Sequence, residues 1–134
     1  MKLRLAASAG VLALTATATL FAAGTASADN GGCRAPYYAD GVLTQSCISS
    51  EGGRNIRAAA YTMDQVHNTI DLCVKIVDGA GNQYGGTACS RQDAYYGSVN
   101  GYLTTVPPGR YYAVAWFTAP GYYYAGESPA IDVS

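Results

Sequence analysis

Cys33, Cys47, Cys73 and Cys89 constrain this chain more than any other feature. Four cysteines admit three pairings, and their count does not choose among them. Hairpin geometry does. From Thr69 to Val77 the side chains alternate, with Ile70, Leu72, Val74 and Ile76 on one face and Asp71, Cys73 and Lys75 on the other. This is the pattern of a half-buried strand. Asp78-Gly79-Ala80-Gly81-Asn82 follows as a turn cluster. A hairpin centred on Gly81 sets Cys73 opposite Cys89, and opposed residues of an antiparallel pair lie about 4.5–5.5 Å apart at Cα, within disulfide reach. Cys33 and Cys47 are likewise equidistant from Asp40, beside Gly41, which suits a three-residue turn with glycine left-handed. The pairing predicted is Cys33–Cys47 and Cys73–Cys89. Each bridge closes a short loop, worth roughly 3 kcal/mol by chain entropy. The cysteines stand singly and the chain has one histidine, so the spacing points to disulfides and to no metal or cofactor.

An oxidising compartment is also what the start of the chain implies. Lys2 and Arg4 precede an apolar run from Leu5 to Ala23, and Ala26-Ser27-Ala28 supplies small residues for cleavage. Residues 1–28 are therefore expected to be a signal peptide and 29–134 a single secreted, extracellular domain. No cysteine follows the cut as a lipoprotein needs, no Arg-Arg pair marks a twin-arginine route, and no second apolar run of spanning length follows. From Asp29 onward six basic residues face nine acidic ones, a net charge of −3 without a basic cluster. That balance argues against nucleic acid, and against membrane after signal cleavage.

The remaining pattern is strand and turn. Asn55 to Met63 alternates Ile56, Ala58 and Ala60 against Arg57 and Tyr61, and Tyr96 to Val106 forms a weaker strand interrupted by Gly97 and Gly101. Val106-Pro107-Pro108-Gly109 is a firm turn. Arg110 to Thr118 then sets Tyr111, Ala113, Ala115 and Phe117 on one face and Tyr112, Val114 and Trp116 on the other. A strand apolar on both faces belongs in the middle of a sheet. Ala119-Pro120-Gly121 turns the chain into Tyr122-Tyr123-Tyr124, and Ala130 to Val133 closes an edge. Asp29 to Gly32 reads as a linker. No stretch keeps a helical period, and about seven short strands make an all-β, two-sheet sandwich.

Twelve tyrosines are the most suggestive functional feature. Nine occur as Tyr37-Tyr38, Tyr95-Tyr96, Tyr111-Tyr112 and Tyr122-Tyr123-Tyr124. Strand neighbours point to opposite faces, so a doublet cannot bury both rings in one core. Tyrosine is a stiff, amphipathic contact residue, and equally a good former of plain sheet surface; both readings stand. The contact candidates are Tyr122, Tyr123 and Tyr124, with Tyr95 and Tyr96 second. Catalysis finds no constellation. His67 lies in a polar connection, Gly85-Gly86-Thr87 lacks the spacing and lysine of a phosphate loop, and no Gly-x-Ser-x-Gly elbow is present. Asp71 and Asp78 fall on opposite sides of one strand and form no local acid pair. The chain is expected not to be an enzyme.

Val106-Pro107-Pro108-Gly109-Arg110-Tyr111-Tyr112-Ala113-Val114 resembles the Pro-Gly-x-Tyr segment of transthyretin-like and collagen-adhesin B-type domains. The resemblance implies a small immunoglobulin-like or transthyretin-like two-sheet sandwich with two cross-strand disulfides. The Tyr-Arg-Gly-Ser ending of transthyretin-like hydrolases is absent, so it does not imply their activity. Export signal, size and disulfides also resemble small secreted proteins of filamentous bacteria. Small amylase-inhibitor sandwiches are similar, but their Trp-Arg-Tyr motif is missing because Trp116 precedes Phe117-Thr118. Neocarzinostatin-type carriers share size and cysteine number with tighter cysteine spacing. In overall character the chain is similar to the adaptor subunit of umbrella toxin particles. That resemblance implies a secreted non-enzymatic protein-binding module, a structural adaptor of an extracellular antibacterial toxin assembly, with another extracellular protein as partner. The alternative is a proteinaceous inhibitor of a secreted hydrolase, an amylase or protease, presenting Glu51 to Asn55 or Ala119 to Ala125. Carbohydrate stacked on tyrosine is a further partner class that no motif favours.

Overall fold

Alternation of apolar and polar side chains, broken by glycine and proline, gives strands and no helix among the described residues. The computed structural model describes residues 28–64, 69–93, 96–118 and 121–134. His67, Tyr95 and the expected signal segment up to Ser27 lie outside them.

Two antiparallel sheets face each other. Sheet I runs in the order β1 (Ala28–Asn30), β12 (Ile131–Val133), β10 (Gly109–Thr118), β6 (Ile70–Asp78), β7 (Gln83–Gln92). A further strand, β11 (Tyr122–Glu127), pairs with β10 beyond the end of β12. In sheet II, β2 (Gly32–Cys33) and β3 (Tyr37–Ala39) follow one edge of β4 (Val42–Ser50). On its other side β4 pairs with β5 (Asn55–Thr62), whose far edge carries β8 (Ser98–Asn100) and β9 (Thr104–Thr105). The fold is the expected all-β sandwich.

Both disulfides form as the hairpin geometry requires, Cys33–Cys47 with Cα atoms 4.0 Å apart and Cys73–Cys89 at 4.1 Å. Such bonds form and persist in oxidising compartments. The routes to them differ from the simple symmetry. At the β6–β7 turn the register is centred on Ala80, since Ile76 faces Tyr84 and Val77 faces Gln83. Opposite Lys75, the Gly85-Gly86-Thr87 segment then inserts two extra residues, so that Val74 faces Ala88 and Cys73 faces Cys89. Without that bulge Cys73 would face Thr87. Gly85 has φ +66, and a Cβ there would stand 2.5 Å from the Thr104 hydroxyl. At the other bridge the turn is Asp40-Gly41 alone, with Ala39 opposite Val42 and φ of 45° and 78°. This is a two-residue type I′ turn rather than a three-residue one. One extra residue within 34–36 brings Cys33 back opposite Cys47.

Other expectations are corrected. The 29–32 segment is no linker. It supplies the edge strand β1 of sheet I and then β2 of sheet II, crossing at Gly31, where φ is +83 and a Cβ would lie 2.8 Å from the Ile48 carbonyl. With β1 outside it, β12 is interior rather than an edge. The 96–106 strand is two short pieces: Gly101 still donates to the Ala58 carbonyl, and one extra residue within 101–103 then shifts the register before Thr104 faces Ile56. Among the described residues, twelve strands, several of only two or three residues, replace about seven.

The core fills from the inward parity of both sheets: Ile70, Leu72, Val74, Ile76, Tyr111, Ala113, Ala115 and Phe117 from sheet I meet Val42, Ile48, Ile56, Ala58, Ala60 and Val99 from sheet II. Tyr111 is buried with its hydroxyl donating to the Pro107 carbonyl at 2.6 Å, which anchors the proline turn carrying the chain from sheet II to sheet I. Where β10 changes partner from β12 to β11, Ser128 completes the ladder. Its N–H donates to the Ala113 carbonyl and its hydroxyl accepts from the Ala113 N–H.

Two hydroxyls on β4 face this core with opposite fates. Thr44 Oγ1 lies 2.9 Å from the Ala125 carbonyl and 3.0 Å from that of Tyr37, tying sheet II to β11. Ser46 Oγ is buried without a hydrogen-bond partner among the described residues. Burying an unpaired hydroxyl costs about 1–3 kcal/mol. Ser46→Ala should therefore leave stability unchanged or raise it by up to about 1 kcal/mol, whereas Thr44→Val should lower it by about 1–3 kcal/mol, read from urea denaturation.

Acid stability follows from two carboxylates. Asp78 accepts from the Asn82 side chain, the Asn82 and Ala80 amides and the Tyr84 hydroxyl, which hold its pKa below the ordinary 3.8. Asp132 is lowered chiefly by the two hydrogen bonds from Arg110, at 2.6 and 3.0 Å. A depressed folded-state pKa stabilises fully above the unfolded value and is lost as pH falls through the folded one. The melting temperature should be flat with respect to these groups above about pH 5 and fall below that, and Asp132→Asn should flatten part of the fall.

Candidate functional site

The outer face of sheet I carries the chemistry the core does not use. Opposed residues share a face, so the ladder assigns it. Cys73 lies opposite Trp116, Lys75 opposite Val114, and Val77 opposite Tyr112. On the other side of β10, Trp116 faces Tyr124 and Thr118 faces Tyr122. Tyr122 is 63% exposed and Tyr124 45%, while Trp116 is half-buried between them and β6. The Trp116 and Tyr122 rings stack with centroids 6.3 Å apart, and Lys75 Nζ sits 5.4 Å from the centre of the Trp116 ring.

A bulge extends this face around the sandwich edge. Ala115 faces Gly126, yet Trp116 faces Tyr124, so β11 holds one extra residue at Ala125. The bulge leaves Ala125 and Gly126 buried and returns Glu127 to the outer face opposite Val114. Gly126 has φ +109, and the Arg34 guanidinium occupies the space its Cβ would need. Arg34 in turn lies over the Tyr37 ring at 4.7 Å. Tyr124 belongs to the same cluster. Burial first, then the charge of Glu127, push its hydroxyl above the ordinary value, and Arg34 opposes them. Lys75, Trp116, Tyr122, Tyr124, Arg34 and Tyr37 thus form one band. A hollow of about 410 Å³ adjoins it, bounded by Lys75, Val77, Tyr112, Val114 and Glu127.

Of the five tyrosines singled out from sequence, Tyr95 lies outside the described residues and the other four do not share a surface. Tyr122 and Tyr124 lie on the band. Tyr123 points inward; its ring stacks on Phe117 at 5.1 Å, and the charge of Asp40 with a hydrogen bond to it raises its pKa. Tyr96 is on the other side of the sandwich, lining a hollow of about 450 Å³ on the outer face of sheet II with Tyr61, Met63 and Gln45. Sequence reasoning did not single out Arg34, Tyr37, Lys75 and Trp116. Trp116 was legible from parity on β10. The pairing of β10 with β6, which brings Lys75 to it, is long-range and leaves no local pattern.

Among the described residues no group of three or more His, Cys, Asp or Glu side chains is placed to hold a metal. Asp71 pairs with Arg91 at 3.6 Å on the outer face, and Asp78 is engaged at its turn on the opposite parity. The arrangement offers contact area and two cations held over rings. No protein-family profile, curated protein or solved structure matches the chain.

The tyrosine run can be divided experimentally. Tyr122→Ser and Tyr124→Ser should each cost within about 0.5 kcal/mol, leaving the melting temperature within a few degrees. Tyr123→Ser should cost about 2 kcal/mol or more by removing the ring packed on Phe117. Thermal denaturation of the three variants checks the assignment.

Proposed function

We propose that this chain is a secreted, non-enzymatic protein-binding module that acts as an adaptor subunit in an extracellular assembly, with the outer face of sheet I as its contact surface. One observation carries the reading. Tyr122 and Tyr124 expose large rings on a paired strand beside Trp116, so that three aromatic side chains form one contiguous patch of the kind that marks interaction surfaces. Aromatic rings on stiff backbone bury area on binding with little loss of conformational freedom. The cleavage pattern ending at Ala28 and the two disulfides support export.

The test starts from the protein as its own cells release it. Size-exclusion of the culture supernatant should place it in a species larger than a monomer of residues 29–134, with a second protein co-eluting. Replacing Trp116, Tyr122 and Tyr124 together by Ser should weaken capture of that protein by at least about 2 kcal/mol, the size of an interface hot spot. A strictly monomeric secreted protein with nothing co-eluting overturns the reading, as does potent inhibition of an amylase or protease that the triple change leaves intact.

A further inference from the structure

The cations of this protein are not distributed alike. Arg57, Arg91 and Arg110 stand in ion pairs with Glu51, Asp71 and Asp132, and Arg54 reaches the Ser134 carbonyl. Lys75 and Arg34 differ from the paired arginines, although Arg34 Nε donates to the Ala35 carbonyl at 3.2 Å. Neither is in an ion pair among the described residues, and each lies over an aromatic ring of the band, Trp116 and Tyr37 respectively. From residue 29 on the chain carries nine acidic and six basic side chains, so two cations left to aromatic faces run against its overall charge. The same face also carries the Asp71–Arg91 and Arg110–Asp132 pairs, and Asp78 and Glu127 border the hollow beside Lys75; among the described residues neither of these two makes an ion pair with Lys75 or Arg34.

Resting on the reading of this face as a contact surface, we propose that it recognises an acidic protein segment in which carboxylates alternate with apolar side chains. The carboxylates meet Lys75 and Arg34, and the apolar groups lie on Trp116, Tyr122 and Tyr124. The charge match is the argument for this occupant. A carboxylate reaching Lys75 Nζ or the Arg34 guanidinium gains a charge-assisted bond at a donor that gives up no internal ion pair. The ring beneath each cation holds it in place and adds its own attraction. A basic segment would meet two like charges that stand in no ion pair among the described residues, so the same pair supplies selectivity and steers encounter.

The test uses two blocked hexapeptides, acetyl-(Glu-Leu)3-amide and acetyl-(Lys-Leu)3-amide, titrated into the isotope-labelled secreted protein and followed by its amide and indole resonances. The acidic peptide should shift the signals of Lys75, Trp116 and Tyr124. The basic one should bind at least five-fold more weakly, and raising salt from 50 to 300 mM should weaken the acidic complex several-fold. Lys75→Gln with Arg34→Gln should remove most of that preference in a protein whose spectrum reports an intact fold. Equal binding of both peptides at this face overturns the acidic partner while leaving the contact surface standing. Shifts confined to other surfaces, or no shift with either peptide, overturn this inference, and the triple aromatic variant in the capture experiment decides the contact surface independently. Stronger shifts from a neutral β-linked glucose hexasaccharide than from the acidic peptide would assign the face to carbohydrate and also overturn it.

Discussion

Along the ladder from Tyr111–Asp78 to Thr118–Asp71, β10 and β6 pair over eight consecutive positions without a register shift. Every second side chain must therefore leave by the same face. This parity sends Tyr111, Ala113, Ala115 and Phe117 into the core with Leu72, Val74 and Ile76, and it sends Tyr112, Val114 and Trp116 outward with Cys73 and Lys75. A slip of one residue would exchange the two sets. The buried Tyr111, whose hydroxyl needs the Pro107 carbonyl, fixes the choice at one end, and the Cys73–Cys89 bridge fixes it near the other. Core and outer aromatic face are two consequences of one register.

Irregularities are concentrated where the sandwich has to do more than continue a ladder. The β7 bulge at Gly85–Thr87 lets the 102–104 segment approach, with the Tyr102 ring 3.0 Å from where a Gly86 Cβ would be. It also interrupts the edge strand β7, a device that discourages edge-to-edge pairing. The β11 bulge at Ala125 buries two small residues in succession and makes room for Arg34 at Gly126. An alanine at Gly126 would meet both a backbone of φ +109 and the arginine. The positive φ and the arginine seat are the same feature, and β11 cannot be regular and also hold Arg34 over Tyr37.

Much of this frame was legible in the sequence, because it rests on short-range patterns. Strand alternation located β5, β6 and β10, and the two cysteine pairs followed from hairpin logic. The centring on Gly81 nevertheless reached Cys89 by a route the residues did not display, since a turn at Ala80 and a two-residue bulge together imitate a longer symmetric turn. The 29–32 segment looked like a linker because glycines dominate it; their role is to cross between sheets under the Ile48 carbonyl. The tyrosine run drew attention as a unit, but as a paired strand it had to be split by parity, and Tyr123 went inward. What the sequence could not display was which strands become neighbours. Lys75 and Trp116 are 41 positions apart in the chain, and Arg34 and Gly126 are further apart still.

The band's rigidity has a structural origin that bears on binding. Trp116 has Cys73 opposite it on one side and Tyr124 on the other, so a disulfide-tethered strand and a bulged strand hold it in the sheet. Lys75 and Arg34 are each placed by the ring beneath them. Ordering mobile side chains at an interface costs about 0.5–1.5 kcal/mol apiece, and stacking with backbone pairing lowers that cost for the contact role proposed for this face. A loop carrying the same residues would present similar area and charge but would have to order itself on contact. A small sandwich with a modest core can therefore offer a usable surface, because its disulfides and its aromatic band reinforce the same strands.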